Sequence, residues 1–530
     1  MTSYFSVMFL VFFLPICLII YMIFPQKFRK YWLLIASWGF FWMISGKLLL
    51  VLILSCFSMH YFGLWLGRLH EKRDLALKEA DKTQRKEIRR RFQSTGKKIL
   101  LLAVVVHIGT LLLFKYLSFF TGNINSLLSL VHIPLQILVP QYAIPIGISF
   151  FTLQALSYIF DVERETVQPD ENPFRLALFL SFFPQIVEGP ICRYSQTADS
   201  LWNVGKIEFD QLVLGGQRIL YGLMKKLVVA DRLNPLIKQV FDHYGEYQGG
   251  VVAFAAVCYT VQLYMDFSGT MDAVIGVAQI FGVTLPENFR HPFFSRTISE
   301  FWQRWHITLG TWFKDYIFYP VTMSRKMKNL TSSARKKLGN HFGPLVAGSI
   351  ALFCVWICNG LWHGSGWNYI FFGMYHFVLI LTGNIISPAV KWTNQKLHIH
   401  SEQCWYRFLQ ILRSCVLVVI GEMFFRANGL KNGLSMFGRM VTDFRFSSMN
   451  SKLLADLGVD AADLVIVAVT LCIVFTVSLI GERGVDIRLG LKKRNRVIRW
   501  AIFYALILYI IIFGAYGPGY VPVDPIYANF

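Results

Sequence analysis

Trp362-His363-Gly364-Ser365-Gly366 joins two apolar stretches, residues 345–361 before it and Trp367 to Leu381 behind it. Each approaches the roughly 20 residues that a membrane-spanning helix needs. The five residues therefore read as the turn of a helical hairpin that carries an imidazole at membrane depth. Ionisable groups are costly there and mark functional sites by default. A hydrogen-bonded histidine closing a helix end is the structural alternative, and the rest of the chain decides between the two.

Hydrophobic residues make up 55% of the chain and aromatic ones 16%, which rejects a soluble globular protein. The mean hydropathy is +0.47. The first apolar window, Tyr4 to Phe24, has no basic leader and no small-residue cleavage site, so it reads as a retained span. The net charge of +21 is concentrated: residues 68–98, 324–337 and 482–499 together hold 25 of the 52 basic residues. Each cluster lies between apolar runs, as the positive-inside rule requires, so the basic balance calls for no nucleic acid. The nine cysteines include no CxxC pair and no ligand-spaced Cys/His set, which argues against zinc or a disulfide framework. Cys354 and Cys358 share a helix face as small apolar residues; a redox or acyl-relay pair has no further support.

With 68–98, 322–344 and 482–499 in the cytoplasm, the remaining runs fall into an all-α, polytopic membrane bundle with both termini external. Spans are expected near 31–44, 48–67, 99–120, 138–160, 345–361, 366–384, 405–425, 463–481 and 499–516. Between 161 and 322 the candidates are 174–190, 212–230 and 251–282, where Pro184, Pro190, Gly215, Gly216 and Gly276 suggest broken or re-entrant pieces. The total is about eleven membrane-embedded segments of roughly 20 residues each. Residues 68–98 suit a charged helix on the inner membrane surface. No internal repeat and no soluble domain is visible, so residues 1–530 read as a single membrane domain. A transporter, which favours paired repeats, is the alternative from another class.

Three further blocks carry chemistry. In Ser299-Glu300-Phe301-Trp302-Gln303-Arg304-Trp305-His306, spacing of three and four predicts Trp302, Trp305 and His306 on one helical face. Trp312, Lys314 and Asp315 follow, and an interfacial amphipathic helix is the simpler reading of the whole stretch. In Tyr264-Met265-Asp266-Phe267-Ser268-Gly269, with Asp272 beyond, two carboxylates at membrane depth either pair with an arginine, line a polar channel or, with Ser268, cap a helix. Glu188-Gly189-Pro190 with Arg193 forms a charged turn, most simply an ion pair inside the bundle.

In this order, Glu188-Gly189-Pro190 with Arg193, Asp266-Phe267-Ser268-Gly269, the stretch from Asn288-Phe289 to Asp315, and Leu361-Trp362-His363-Gly364 closely resemble the membrane-bound O-acyltransferase family. Within it the chain looks most like the bacterial branch that contains alginate O-acetyltransferase and the D-alanyl transferase of teichoic acid synthesis. The resemblance is strong over about residues 100–425. In the C-terminal helices, 426–530, Phe424-Phe425-Arg426-Ala427 and Gly514-Ala515-Tyr516-Gly517-Pro518-Gly519-Tyr520 look more like the polysaccharide O-acetyltransferases. The ending Pro525-Ile526-Tyr527-Ala528-Asn529-Phe530 departs from the family's more aromatic one.

The resemblance implies a helix bundle around a tunnel in the plasma membrane of a bacterium. A thioester acyl donor, acetyl-coenzyme A or an acyl carrier protein, enters from the cytoplasm. An extracytoplasmic glycan accepts the acyl group, with a separate esterase-like acyltransferase partner outside. The catalytic residues carried over are His363, as general base on the acceptor hydroxyl, and His306, which orients the donor thioester or supports a second proton step. The tunnel and binding residues are Trp302, Arg304, Trp305, Trp312, Asp315, Asp266, Ser268, Glu188, Arg193, Asn288 and Trp362. No metal is implied. D-alanyl transfer from a carrier protein toward teichoic acid stays open beside acetyl transfer.

Overall fold

The computed structural model describes residues 4–139, 143–516 and 523. The Gly517–Tyr520 part of the tail motif, the ending Pro525–Phe530 and both chain ends lie outside the described residues. Among the described residues the regular elements are all helical, and the one extended pairing is an isolated bridge between Phe289 and Trp305. Eight helical stretches are long and apolar enough to cross a membrane, and the shorter apolar run Met8–Ile23 precedes them. This is the all-α polytopic architecture expected from the sequence.

The chain divides into two compact units. One takes in the residues up to Gly215 together with Val274–Pro286. Its helices include Gln26–Ser45, Leu49–Glu79, Arg85–Leu111, Ile148–Glu163 and Pro173–Ser181. Tyr4, Phe9, Phe40 and Phe183 pack ring against ring, and the Tyr4 hydroxyl donates to the Phe183 carbonyl at 2.9 Å. Leu50, Leu54, Tyr61 and Trp65 form an exposed apolar stripe along Leu49–Glu79, a surface suited to lipid. The basic segment 68–98 is folded into the ends of Leu49–Glu79 and Arg85–Leu111 rather than a separate helix. Arg73 there pairs with Glu165 and holds that carboxyl below its usual range.

Two expected spans in this unit come out shorter. Among the described residues of the 138–160 segment the helix begins at Ile148, after Pro145 and a left-handed Gly147 whose added Cβ would lie 2.0 Å from the Ile186 carbonyl oxygen. The 174–190 segment is helical only over Pro173–Ser181, because Pro184 and Pro190 cannot continue it.

The second unit comprises Gly216–Ala273 and the chain from Glu287 onward. It contains most of Gly249–Ile280, the hairpin Arg325–His363 and Trp367–Lys396, and the helices Cys404–Arg426, Ala461–Glu482 and Arg496–Phe513. Start signals are local: Ser324 accepts from the Met327 N–H, and Asp460 and Asp463 form a reciprocal capping box. The hairpin closes tightly because small residues face each other. A Cβ on Gly360 would lie 2.5 Å from the Tyr369 carbonyl oxygen, and one on Gly373 would lie 2.3 Å from that of Trp356. This crossing fixes the height of His363 relative to the helix that follows.

Candidate active site

His363 is the last residue of the outgoing hairpin helix, and only 5% of it is exposed. Its ring packs edge-on to Trp362 at 5.0 Å, Phe425 at 5.1 Å and Phe372 at 5.8 Å. Phe425 is held there by Asn368, whose amide donates to the Phe425 and Ala427 carbonyls at 3.2 Å each. The second hairpin helix thus positions the aromatic wall of the histidine that precedes it.

The second histidine arrives by a different route from the one the spacing predicts. A single helix through Trp302, Trp305 and His306 does not form: one helix ends at Arg304 and the next begins at Ile307. Trp305 is extended, and His306 has a left-handed backbone with φ of 47°. The cause is a distant strand-like segment. The Arg290 N–H donates to the Arg304 carbonyl at 2.9 Å, and the Ile307 N–H donates to the Asn288 carbonyl at 3.0 Å. Those two bonds open the helix between them. The three side chains therefore diverge. Trp302 meets Trp356, Phe372 and His376. Trp305 meets Tyr264, Phe289 and Phe301. His306 meets Phe267 at 4.9 Å and Trp362 at 5.6 Å. Trp362 is therefore in contact with both histidines.

Asn288 is fully buried and anchors His306. Its side-chain oxygen lies 3.2 Å from His306 Nδ1 and accepts from the Thr308 N–H at 3.0 Å and hydroxyl at 2.9 Å. Its amide nitrogen donates to Met271 Sδ at 3.3 Å. Asn288, His306, Trp362 and His363 are thus brought together as one cluster.

Asp266 and Ser268 lie inside Gly249–Ile280, so the helix-cap reading of this motif is overturned: the helix runs straight through it. The carboxylates pair, and lysine is the main partner. Lys226 lies 2.8 Å from Asp266 and 3.1 Å from Asp231. Lys225 lies 2.8 Å from Asp272 and donates to Ser268 at 3.2 Å, while Arg218 joins Asp272 at 3.0 Å to Glu287 at 2.5 Å. Both lysines sit on a π-helical turn, Met224–Ala230. Such turns often occur at functional sites.

The remaining expected residues have the following surroundings. Arg304 is bound to Glu300 at 2.8 Å and Glu482 at 2.6 Å. Trp312 packs with Phe313 and Tyr316, and Asp315 lies on the next turn. Glu188 and Arg193 are buried in the first unit, in the turn before Tyr194–Trp202. No group of three or more His, Cys, Asp or Glu among the described residues is placed to hold a metal ion.

Sequence reasoning missed two pairs. His376 is fully buried and stacks on Trp356 at 5.4 Å, and it accepts at Nδ1 from Trp302 Nε1–H at 3.2 Å. Glu422 is a buried carboxyl near the C-terminal end of the apolar helix Cys404–Arg426, close to Thr260. The signal for His376, as for Lys225 and Lys226, was an ionisable side chain inside an apolar run.

Buried imidazoles inside helices of membrane length mark this cluster as a candidate functional site of a membrane protein. The profile of the membrane-bound O-acyltransferase family matches residues 75–335. The chain is 31% identical to the probable alginate O-acetylase of Pseudomonas syringae pv. tomato over 88% of its own length and 80% of the relative's. It is 27% identical to the peptidoglycan O-acetyltransferase of Helicobacter pylori over 78% and 74% of the two chains. It is 29% identical to the teichoic acid D-alanyltransferase of Bacillus subtilis over 53% and 68%. The chain belongs to the membrane-bound O-acyltransferase family, as the sequence motifs imply. It is an acyltransferase and a multi-pass protein of the bacterial cell membrane.

Proposed function

We propose that this enzyme moves an acetyl group from a cytoplasmic thioester, acetyl-coenzyme A or an acyl carrier protein, to a hydroxyl of an extracytoplasmic polysaccharide or of a partner acyltransferase. The observation that carries the reading is the buried pair of imidazoles, His306 and His363, both in edge contact with Trp362. His363 acts as general base. It takes the acceptor's hydroxyl proton as the oxygen bonds to the acyl carbon, the C–S bond breaks, and the proton ends on the departing sulfur. A positioned base of this kind contributes about 10²–10⁴-fold. His306 either orients the thioester or carries a second proton step, and Trp302, Trp305 and Trp312 line the acyl path. Only an uncharged acyl group changes sides, so no charged carrier enters hydrocarbon.

The names of the relatives support a glycan acceptor, since they specify alginate, peptidoglycan and teichoic acid. A separate extracytoplasmic partner completes the transfer, and the chain works as one acyltransferase domain. The D-alanyl reading stays second because its relative aligns with 53% of this chain, against 88% for the O-acetylase. Purified protein in sealed vesicles, given either labelled acetyl-coenzyme A or a D-alanyl-loaded carrier protein, tests the reading. Acetyl label appearing on polysaccharide on the opposite side of the membrane supports it; transfer from neither donor refutes it.

A further inference from the structure

We propose that Asn288 is a positioning residue of the transfer reaction: it locks His306 in the tautomer protonated at Nδ1 and so leaves Nε2 as a proton-accepting atom of the site. The Asn288 side-chain oxygen is identified without ambiguity, because it receives the backbone N–H of Thr308 at 3.0 Å and a backbone N–H can only donate. The same oxygen lies 3.2 Å from His306 Nδ1. Two acceptors cannot face each other there, so Nδ1 carries the hydrogen. In the neutral imidazole the other nitrogen then holds a lone pair. That atom, Nε2, is buried and has no hydrogen-bond partner among the described residues, and the ring is 2% exposed between Phe267 and Trp362.

The inference rests on the acyl-transfer reading and decides between the two roles open to His306. An imidazole whose N–H is committed to Asn288 has none to offer a thioester oxygen, so it does not orient the donor by donation. The second proton step remains. The hydroxyl O–H bond breaks at His363 as the new C–O bond forms. The proton passes to His306 Nε2 and from there to the sulfur as the C–S bond breaks. Nδ1 keeps its own proton throughout, and the Asn288 oxygen stabilises the transient imidazolium. Thioester and alcohol become ester and thiol, with no further reactant.

The charged and titratable groups around the ring leave this assignment intact. Phe267 and Met271 face it from Gly249–Ile280, where the flanking Asp266 is paired with Lys226 and Asp272 with Lys225 and Arg218. His363 faces the same Trp362 ring from the hairpin helix.

The test is the pH profile of kcat for Asn288→Asp in the vesicle assay. A carboxylate at 288 favours the imidazolium, so His306 would keep its proton to higher pH. Because the neutral ring is the one that accepts, the acidic limb should move upward by about 1–3 pH units. Asn288→Ala should lower kcat by about 10–100-fold with the donor KM unchanged. A limb that stays in place, with the rate of Asn288→Asp scaled down equally at every pH, would make the residue merely structural and overturn the proposal. Histidine ¹⁵N NMR of the resting wild-type protein is independent of activity. It should show a protonated Nδ1 and an unprotonated Nε2 for His306; the reverse would overturn the assignment. If the wild type transfers neither acetyl nor D-alanyl groups, the acyl-transfer reading fails on its own, and the NMR result still judges the tautomer.

Discussion

Lys226→Met should be among the most damaging single changes outside the imidazole cluster. The ammonium bridges Asp266 at 2.8 Å and Asp231 at 3.1 Å and donates to the Val523 carbonyl at 2.9 Å. The three charged residues are each 4% exposed or less. Removing this ammonium leaves two buried carboxylates without it, and breaking a buried pair by deleting one partner costs about 3–5 kcal/mol. Methionine fills much of the same volume, so cavity formation adds little. Neutralising all three positions together, Lys226→Met with Asp231→Asn and Asp266→Asn, should recover most of that loss, because replacing a whole buried ionic group is often close to neutral. Thermal unfolding of the purified protein in detergent, followed by tryptophan fluorescence, reads the order directly. The expected order is wild type, then the triple variant, then Lys226→Met. A single variant as stable as wild type, or a triple variant no better than the single, would refute the electrostatic account of this cluster.

Gly373→Val should push the two hairpin helices apart at the Trp356 carbonyl and displace His363; a misplacement of about 1 Å costs on the order of 10²-fold, measured as kcat in the transfer assay. Cys354→Ser with Cys358→Ser should retain full activity, and a loss would instead place a thiol acyl relay on that helix. Arg296→Ala removes an exposed pair with Glu402 and should leave the rate of transfer unchanged.

The sequence disclosed the membrane bundle because its apolar runs and basic clusters are local features that need no tertiary information. It also disclosed His363, since a helical hairpin with an imidazole at its turn is written in consecutive residues. The path of the chain at Trp305 and His306 was not legible. Helical spacing favours a continuous face there, and the bonds that break it come from Asn288 and Arg290, more than a dozen residues away. The partners of Asp266 and Asp272 were hidden for a similar reason. Lys225 and Lys226 lie roughly 40 residues upstream on a π-helical turn, and nothing in residues 260–272 announces them. His376 was absorbed into an apolar stretch, and its tie to Trp302 emerges only once the helices are packed.

The most direct measurement is acyl transfer by purified His363→Ala, compared with wild type at equal amounts of folded protein. A loss of at least 10²-fold is expected, the smallest contribution a positioned general base makes. Full activity in that variant would contradict the claim that this imidazole performs the proton transfer on which the chemistry depends.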